Sequence, residues 1–395
     1  MERLYNISNS LLSRVSMDFK RYLFNKIDWD AQLIAISGAR GCGKTVMLLQ
    51  YLKSINAKKN ALYVSLDDIY FSENKLILFA EQFFKKGGEV LLLDEVHKYP
   101  NWSQEIKNIY DTLQDLQIVF TGSSALEIHK GAHDLSRRAV VYNLAGMSFR
   151  EYLELKHKIK LPAYELKDIL LTDNRINKTI VDKIKPLQVF DEYLQKGYYP
   201  FFFNTKQNYL KQLLNTVNLV IESDLPSIYN IEFSSTIKIK KLLSIISRIV
   251  PYKPNIEELA RQIGTTRDTL LKYMYYLEKA QIIKWLGKDT MGINYLNKPE
   301  KLYLNNTNIN YALTDLPNQG NIRETFFLNQ ISAKHFVSYP SQGDFFVDGK
   351  YVFEIGGKNK SKKQILNLAD SYIVADDIEY SFENKIPLWL FGFLY

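Results

Sequence analysis

Cysteine is almost absent from this chain of 395 residues: Cys42 is its single thiol. One cysteine excludes an intrachain disulfide and fits a reducing, cytoplasmic setting. Long apolar runs are missing too. No segment approaches the roughly 18 consecutive apolar residues that a membrane-spanning helix requires. The opening stretch, MERLYNISNSLLSRVSMDFKRYLF, carries charges throughout and has no small-residue cleavage site, so it does not read as a secretory signal. Internal repeats and low-complexity tracts are lacking as well. Charge of one sign is only mildly in excess: 51 Lys and Arg face 43 Asp and Glu, for a net +8. Such a balance tolerates a polyanionic partner without demonstrating one. A cytoplasmic protein with no membrane partner is expected.

What the chain does have is enough apolar material, 46% with 13% aromatics, to fill a core in each of two to four domains. Five short apolar runs, Leu33–Ser37, Leu62–Leu66, Val90–Leu93, Ile118–Thr121 and Val140–Leu144, alternate with helical patterns such as Thr45–Ile55 and Trp102–Leu113. Continuous apolar strands separated by helices predict an α/β fold with a parallel sheet covered on both faces. Composition then shifts. The expected segments are an N-terminal helical piece (1–30), an α/β core (31–148), a helical lid or linker (149–235), a helix-turn-helix module with a wing (236–310) and a mixed α/β end (311–395).

The α/β core carries the clearest chemistry. Gly38, Ala39, Arg40, Gly41, Cys42, Gly43, Lys44 and Thr45 follow the strand LIAIS and open a helix that continues through Val46. This is a phosphate-binding loop in the context it requires. Its glycines let backbone N–H groups converge on phosphate oxygens, and the helix N-terminus adds its dipole. Lys44 is expected to neutralise the β- and γ-phosphates of ATP, and Thr45 to ligate Mg²⁺. The strand Val90–Leu93 runs into Asp94 and Glu95, where Asp94 would hold the metal and Glu95 would activate the attacking water. The strand Gln117–Thr121 offers Thr121 and, beyond it, Ser123 as sensors of the γ-phosphate; the sequence does not choose between them. Arg137 and Arg138 follow, either of which could reach the phosphate of this or a neighbouring subunit. A finger shared between neighbours would make the chain a homo-oligomer.

The segments GARGCGKT, LLLDEVHKYPNW, FTGSSAL, LSRR, SFREYL, GYYPFF, GNIRETFF and GDFFVDGKYVFEIGGKNK together resemble prokaryotic AAA-type ATPases joined to a winged helix and a PD-(D/E)xK nuclease-like C-terminal domain. The resemblance covers nearly the whole chain. It implies a P-loop core, a winged helix-turn-helix and a restriction-endonuclease-like α/β end. Arg137 stands where those proteins usually have glycine, so Arg138 is the matched position. In the C-terminal part the resemblance implies that Asp344 and Glu354 hold a second Mg²⁺, with Glu324 and Gln364 in support. The lysine expected two residues after the glutamate is Gly356 here. Either Lys358 reaches back or the site has lost its chemistry.

Residues 255–283 read as a helix-turn-helix on their own pattern. Ile256, Leu259, Ala260 and Ile263 share one face, Gly264 makes the turn, and Thr265 or Thr266 caps a second helix with Leu270, Met274 and Leu277 inward. Arg267, Thr269 and Lys272 are its candidate DNA contacts. Mg²⁺-dependent ATP hydrolysis acting on or regulated by DNA is the expected function. The alternative is an ATP-dependent regulatory switch whose added domains bind protein. A small-molecule kinase is disfavoured, because the adjacent carboxylates suit water activation.

Overall fold

A computed structural model describes all residues except 123–134, 136, 230, 250, 289–298 and 367, together with every side chain among them but that of Lys206. Contacts divide the chain into two units: residues 1–146 with 227–230, and residues 147–226 with 231–395. Among the described residues no helix is long and apolar enough to cross a membrane.

In the first unit the five apolar runs form strands β1 (Leu33–Ser37), β2 (Ala61–Ser65), β3 (Val90–Asp94), β4 (Gln117–Thr121) and β5 (Val140–Asn143). They lie in the order β2-β3-β4-β1-β5 and every pairing is parallel. Alternate residues of one strand feed two cores. Leu91 and Leu93 join one with Phe79, Phe83 and Ile106, while Val90 and Leu92 join the other with Met47, Leu48 and Leu52. That is why β3 reads as an unbroken VLLL run. β5 departs from the expectation of full cover: among the described residues it is an edge strand paired with β1 alone, and Val140 and Val141 are exposed. Helix α1 (Glu2–Arg14) and the segment after it pack within this unit, Leu4 in the first core and Leu23, Phe24 and Ile27 in the second.

The second unit starts with a helix that the sequence caps. Ser148 accepts from the Glu151 N–H while Glu151 accepts from the Ser148 N–H, closing a capping box on α2 (Phe149–His157). The 3₁₀ turn Leu388–Phe393 lies so close to it that a Cβ on Gly392 would be driven into Phe149. Helices α3 (Ile256–Ile263) and α4 (Arg267–Lys279) form the helix-turn-helix, with Gly264 left-handed at the turn and Thr266 supplying the cap. An antiparallel pair, β6 (Ile283–Leu286) with β7 (Lys301–Leu304), follows. The last part holds helix α5 (Gln319–Ile331) and a mixed sheet of β8 (Val337–Ser338), β9 (Phe345–Val347), β10 (Tyr351–Gly356), β11 (Ser371–Ala375) and β12 (Lys385–Pro387), in the order β12-β11-β10-β9-β8. β9 and β10 make the expected hairpin, with Asp348 and Gly349 both left-handed at the turn.

One buried amide organises much of this unit. Asn308 accepts from the Tyr198 N–H at 2.8 Å and the Tyr209 hydroxyl at 2.5 Å, and donates to the carbonyls of Leu194 at 2.9 Å and Tyr193 at 3.2 Å. All its polar capacity is satisfied without solvent. Replacing Asn308 by Ala strands several buried partners at once. We expect Asn308→Ala to lower the unfolding free energy by about 3 kcal/mol, measured by urea denaturation, and Asn308→Asp to do at least as much harm.

Candidate functional site

β1 ends at Ser37 and the chain turns through Gly38 (φ 154°), Gly41 (φ 84°) and Gly43 (φ 101°) before the helix Lys44–Ile55 begins. A Cβ on Gly38 would run into the Leu144 carbonyl oxygen, so the loop can sit against the end of β5 only because residue 38 has no side chain. Lys44 is 5% exposed, and its ammonium donates to the loop carbonyls of Gly38 at 2.8 Å and Ala39 at 3.0 Å. No carboxylate pairs with it among the described residues. Val46 points outward on the same helix, and Cys42 is buried.

At the end of β3, Asp94 is 2% exposed. Its Oδ2 accepts from the Thr45 hydroxyl at 2.7 Å and the Tyr63 hydroxyl at 2.9 Å, and its Oδ1 accepts from the Thr121 hydroxyl. Burial, and next the charge of Asp94, push the Tyr63 hydroxyl well above the ordinary tyrosine range, so it stays a donor. Glu95 leaves the strand in the left-handed region (φ 52°), and its carboxylate lies 3.3 Å from His97 Nε2. Left-handed backbone at a non-glycine residue is strain of the kind that gathers at functional sites. The Glu95 N–H donates to Thr121 Oγ1 at 3.3 Å.

Lys44, Thr45, Asp94, Glu95 and Thr121 are thus gathered at the carboxyl ends of β1, β3 and β4. Thr121 is in direct contact with both carboxylate residues, while Ser123 lies outside the described residues. Arg138 instead forks onto Asp111, Nε to Oδ1 at 2.9 Å and an Nη to Oδ2 at 3.1 Å. Arg21 escaped the sequence reading. It is 4% exposed and donates to the Cys42 carbonyl in the loop and to the Ala145 carbonyl at 2.7 Å. A lone arginine in a basic segment gives no sign of such a role; only the fold reveals it.

In the second unit, Arg267 lies 3.5 Å from Glu257 and 3.7 Å from Asp268. Thr269 is engaged in the helix cap through Thr266, and Lys272 is exposed. Asp344 precedes β9 and accepts from the Ile355 N–H at 2.8 Å. Glu354, in β10, is 1% exposed, and burial raises its carboxyl above the usual range despite a neighbouring ammonium. That ammonium belongs to Lys360, 2.5 Å away. Glu324 accepts from Lys301 at 2.7 Å and Tyr303 at 2.8 Å. Among the described residues no three His, Cys, Asp or Glu side chains converge as metal ligands.

Residues 30–153 match the family model described as an AAA domain. The chain carries an AAA-type P-loop ATPase domain. The match takes in the phosphate loop, Asp94 and Glu95, and supports nucleotide binding by this domain. Residues 187–320 match a model described as a domain of unknown function. An uncharacterized protein of Methanocaldococcus jannaschii is 28% identical over 400 residues, covering 90% of this chain and 84% of the relative. Similar solved structures include AMPPCP-bound DnaA from Aquifex aeolicus, at 16% identity and a TM-score of 0.26, covering 70% of this chain and 88% of that one. PCH-2 of C. elegans, at 14% identity and a TM-score of 0.25, covers 68% of each chain.

The Arg21 fork ties the phosphate loop, at the Cys42 carbonyl, to the segment after β5, at the Ala145 carbonyl. Arg21→Ala should weaken ATP affinity about tenfold, the loss of one charged hydrogen bond's worth of loop preorganisation, read by titration with a fluorescent nucleotide. Arg21→Lys, which keeps the charge but not the fork, should recover only part.

Proposed function

We propose that this chain is a Mg²⁺-dependent ATPase whose AAA domain works on, or under the control of, DNA. One observation carries the catalytic part. Among the described residues, Lys44 is a buried ammonium with no anionic partner, and Asp94 is a buried carboxylate whose donors are neutral hydroxyls. Isolated buried charges are costly. A phosphate chain beside Lys44 and a divalent cation beside Thr45 and Asp94 supply the two missing opposite charges, so the residues present fit ATP and Mg²⁺.

Mg²⁺, when bound, neutralises charge that develops on the phosphate oxygens. Lys44 then gives up its loop carbonyls for phosphate oxygens. Loop N–H groups from residues 38 to 46 cradle the phosphates, with Val46 contributing only backbone. Glu95 takes a proton from the attacking water, and Thr121, bonded to both the Asp94 carboxylate and the Glu95 N–H, ties the Glu95 backbone to Asp94. An arginine finger from Arg138, toward the phosphate of this or a neighbouring subunit, requires a state in which its fork onto Asp111 is released.

The DNA reading rests on the helix-turn-helix with its antiparallel pair, on exposed Lys272 and on the net positive charge. A second reading, a switch that docks protein, is favoured by the acids at Arg267: Glu257 and Asp268 already balance the residue best placed to meet a phosphate. Steady-state ATP hydrolysis with and without duplex and single-stranded DNA separates the two. The expected result is turnover raised several-fold by DNA, the gain shrinking as salt rises. Indifference to DNA moves the conclusion to the protein-directed switch. Lys44→Ala should abolish nucleotide binding, whereas Glu95→Gln should keep binding and lower kcat by about 10²-fold or more.

A further inference from the structure

The C-terminal carboxylates look at first like a metal centre short of one lysine. The lysine has not disappeared. A Cβ built on Gly356 would lie 2.6 Å from Lys360 Cδ and 2.7 Å from its Cβ and Cγ. The stem of Lys360 fills the space a side chain at 356 would occupy, and its ammonium reaches Glu354 Oε1 at 2.5 Å. Only glycine at 356 leaves room for that path.

The other donors are equally committed. With its amide nitrogen turned toward Glu354, Gln364 donates to Oε1 at 2.9 Å and to Oε2 at 3.2 Å. Asp344 Oδ2 is taken by the Ile355 N–H at 2.8 Å, and Oδ1 faces Lys301 at 3.6 Å. Lys301 comes from β7, outside the mixed sheet, and also binds Glu324 at 2.7 Å. Two internal ammoniums therefore face three carboxylates, leaving one unit of negative charge. Mg²⁺ needs several oxygens in near-octahedral array and sheds its water reluctantly. To enter, it would have to displace the ammonium and amide donors from these oxygens, and leave a partly buried lysine without its partner.

We propose that Lys301 and Lys360 stand in for a divalent cation, so that this cluster is a metal-independent ion-paired joint fastening β7 to the mixed sheet. The Mg²⁺ expected at Asp344 and Glu354 does not fit these residues. The joint is independent of the ATP-site reading.

The test is Mn²⁺ binding to the full, nucleotide-free chain, counted by electron paramagnetic resonance, for the unmodified protein and Glu354→Gln. Any Mn²⁺ at the phosphate loop binds both alike. Equal stoichiometry is expected; one extra Mn²⁺ in the unmodified protein overturns the proposal. So does Mn²⁺- or Mg²⁺-dependent DNA cleavage that Glu354→Gln removes. Thermal unfolding supplies the second arm. Lys360→Met should lower Tm by about 5 °C or more, because it leaves Glu354 buried without its cation. Adding Glu354→Gln should recover at least half of that loss. A further fall on adding Glu354→Gln would show that the pair is not a charge-balanced joint.

Discussion

Asp94 has to be held by something, because it ends a strand whose every other residue is buried on both sides of a sheet. A carboxylate there is taken out of water by its neighbours in sequence, and its free energy then depends on the donors the fold can bring. Thr45 arrives from the helix after the phosphate loop, Tyr63 from β2 and Thr121 from β4. Hydrogen bonds to a charged group contribute roughly 1.5–3 kcal/mol each, so this one side chain ties together four elements of the first unit. The register of the parallel sheet follows the same requirement: a shift of β3 by one residue would carry Asp94 away from Thr121 and turn its alternating apolar residues to the wrong cores.

The two carboxylate sites differ in the kind of donor they recruit. Hydroxyls satisfy the lone pairs of Asp94 without cancelling its charge, so an external cation still gains from binding there. Ammoniums bind Glu354 and Glu324, one of them also lies 3.6 Å from Asp344, and together they cancel most of the cluster's charge. Chemistry that looks alike in sequence, an acidic residue at or near a strand end with a lysine not far off, has opposite electrostatic consequences. What separates the cases is whether the lysine reaches the acid. Lys44 is spent on loop carbonyls, whereas Lys360 is spent on Glu354.

This contrast also marks what the sequence can convey. The five strands of the first unit, the phosphate loop, the helix-turn-helix and the hairpin at Asp348-Gly349 are local patterns, set by apolar period and by glycines where φ is positive, and they are legible. So are Lys44, Thr45, Asp94 and Glu95, because motif residues lie a fixed number of positions from a strand or helix end. Lys301 is not, since it meets Asp344 across 43 residues only through the placing of β7. Lys360 is not legible either, because spacing along the chain says nothing of which stem can cross an empty glycine. Arg21 and Asn308 carry no motif at all; their value lies in the several carbonyls or hydroxyls that the finished fold presents to one side chain.

The helix-turn-helix obeys the same economy of charge. Arg267 opens α4, near the end where the helix dipole already favours anions, and Asp268 in the first turn and Glu257 on α3 surround it with negative groups. Exposed pairs of this kind are weak in water, about 0.2–1 kcal/mol, and a strong polyanion can outcompete them. The acids nonetheless remain beside whatever docks, and a phosphate backbone would meet them as like charges. A partner on this face must therefore either bring its own cations or approach through Lys272, farther along the helix. Nucleic acid is consistent only with the second route, which places the contact on the middle of α4 instead of its N-terminus.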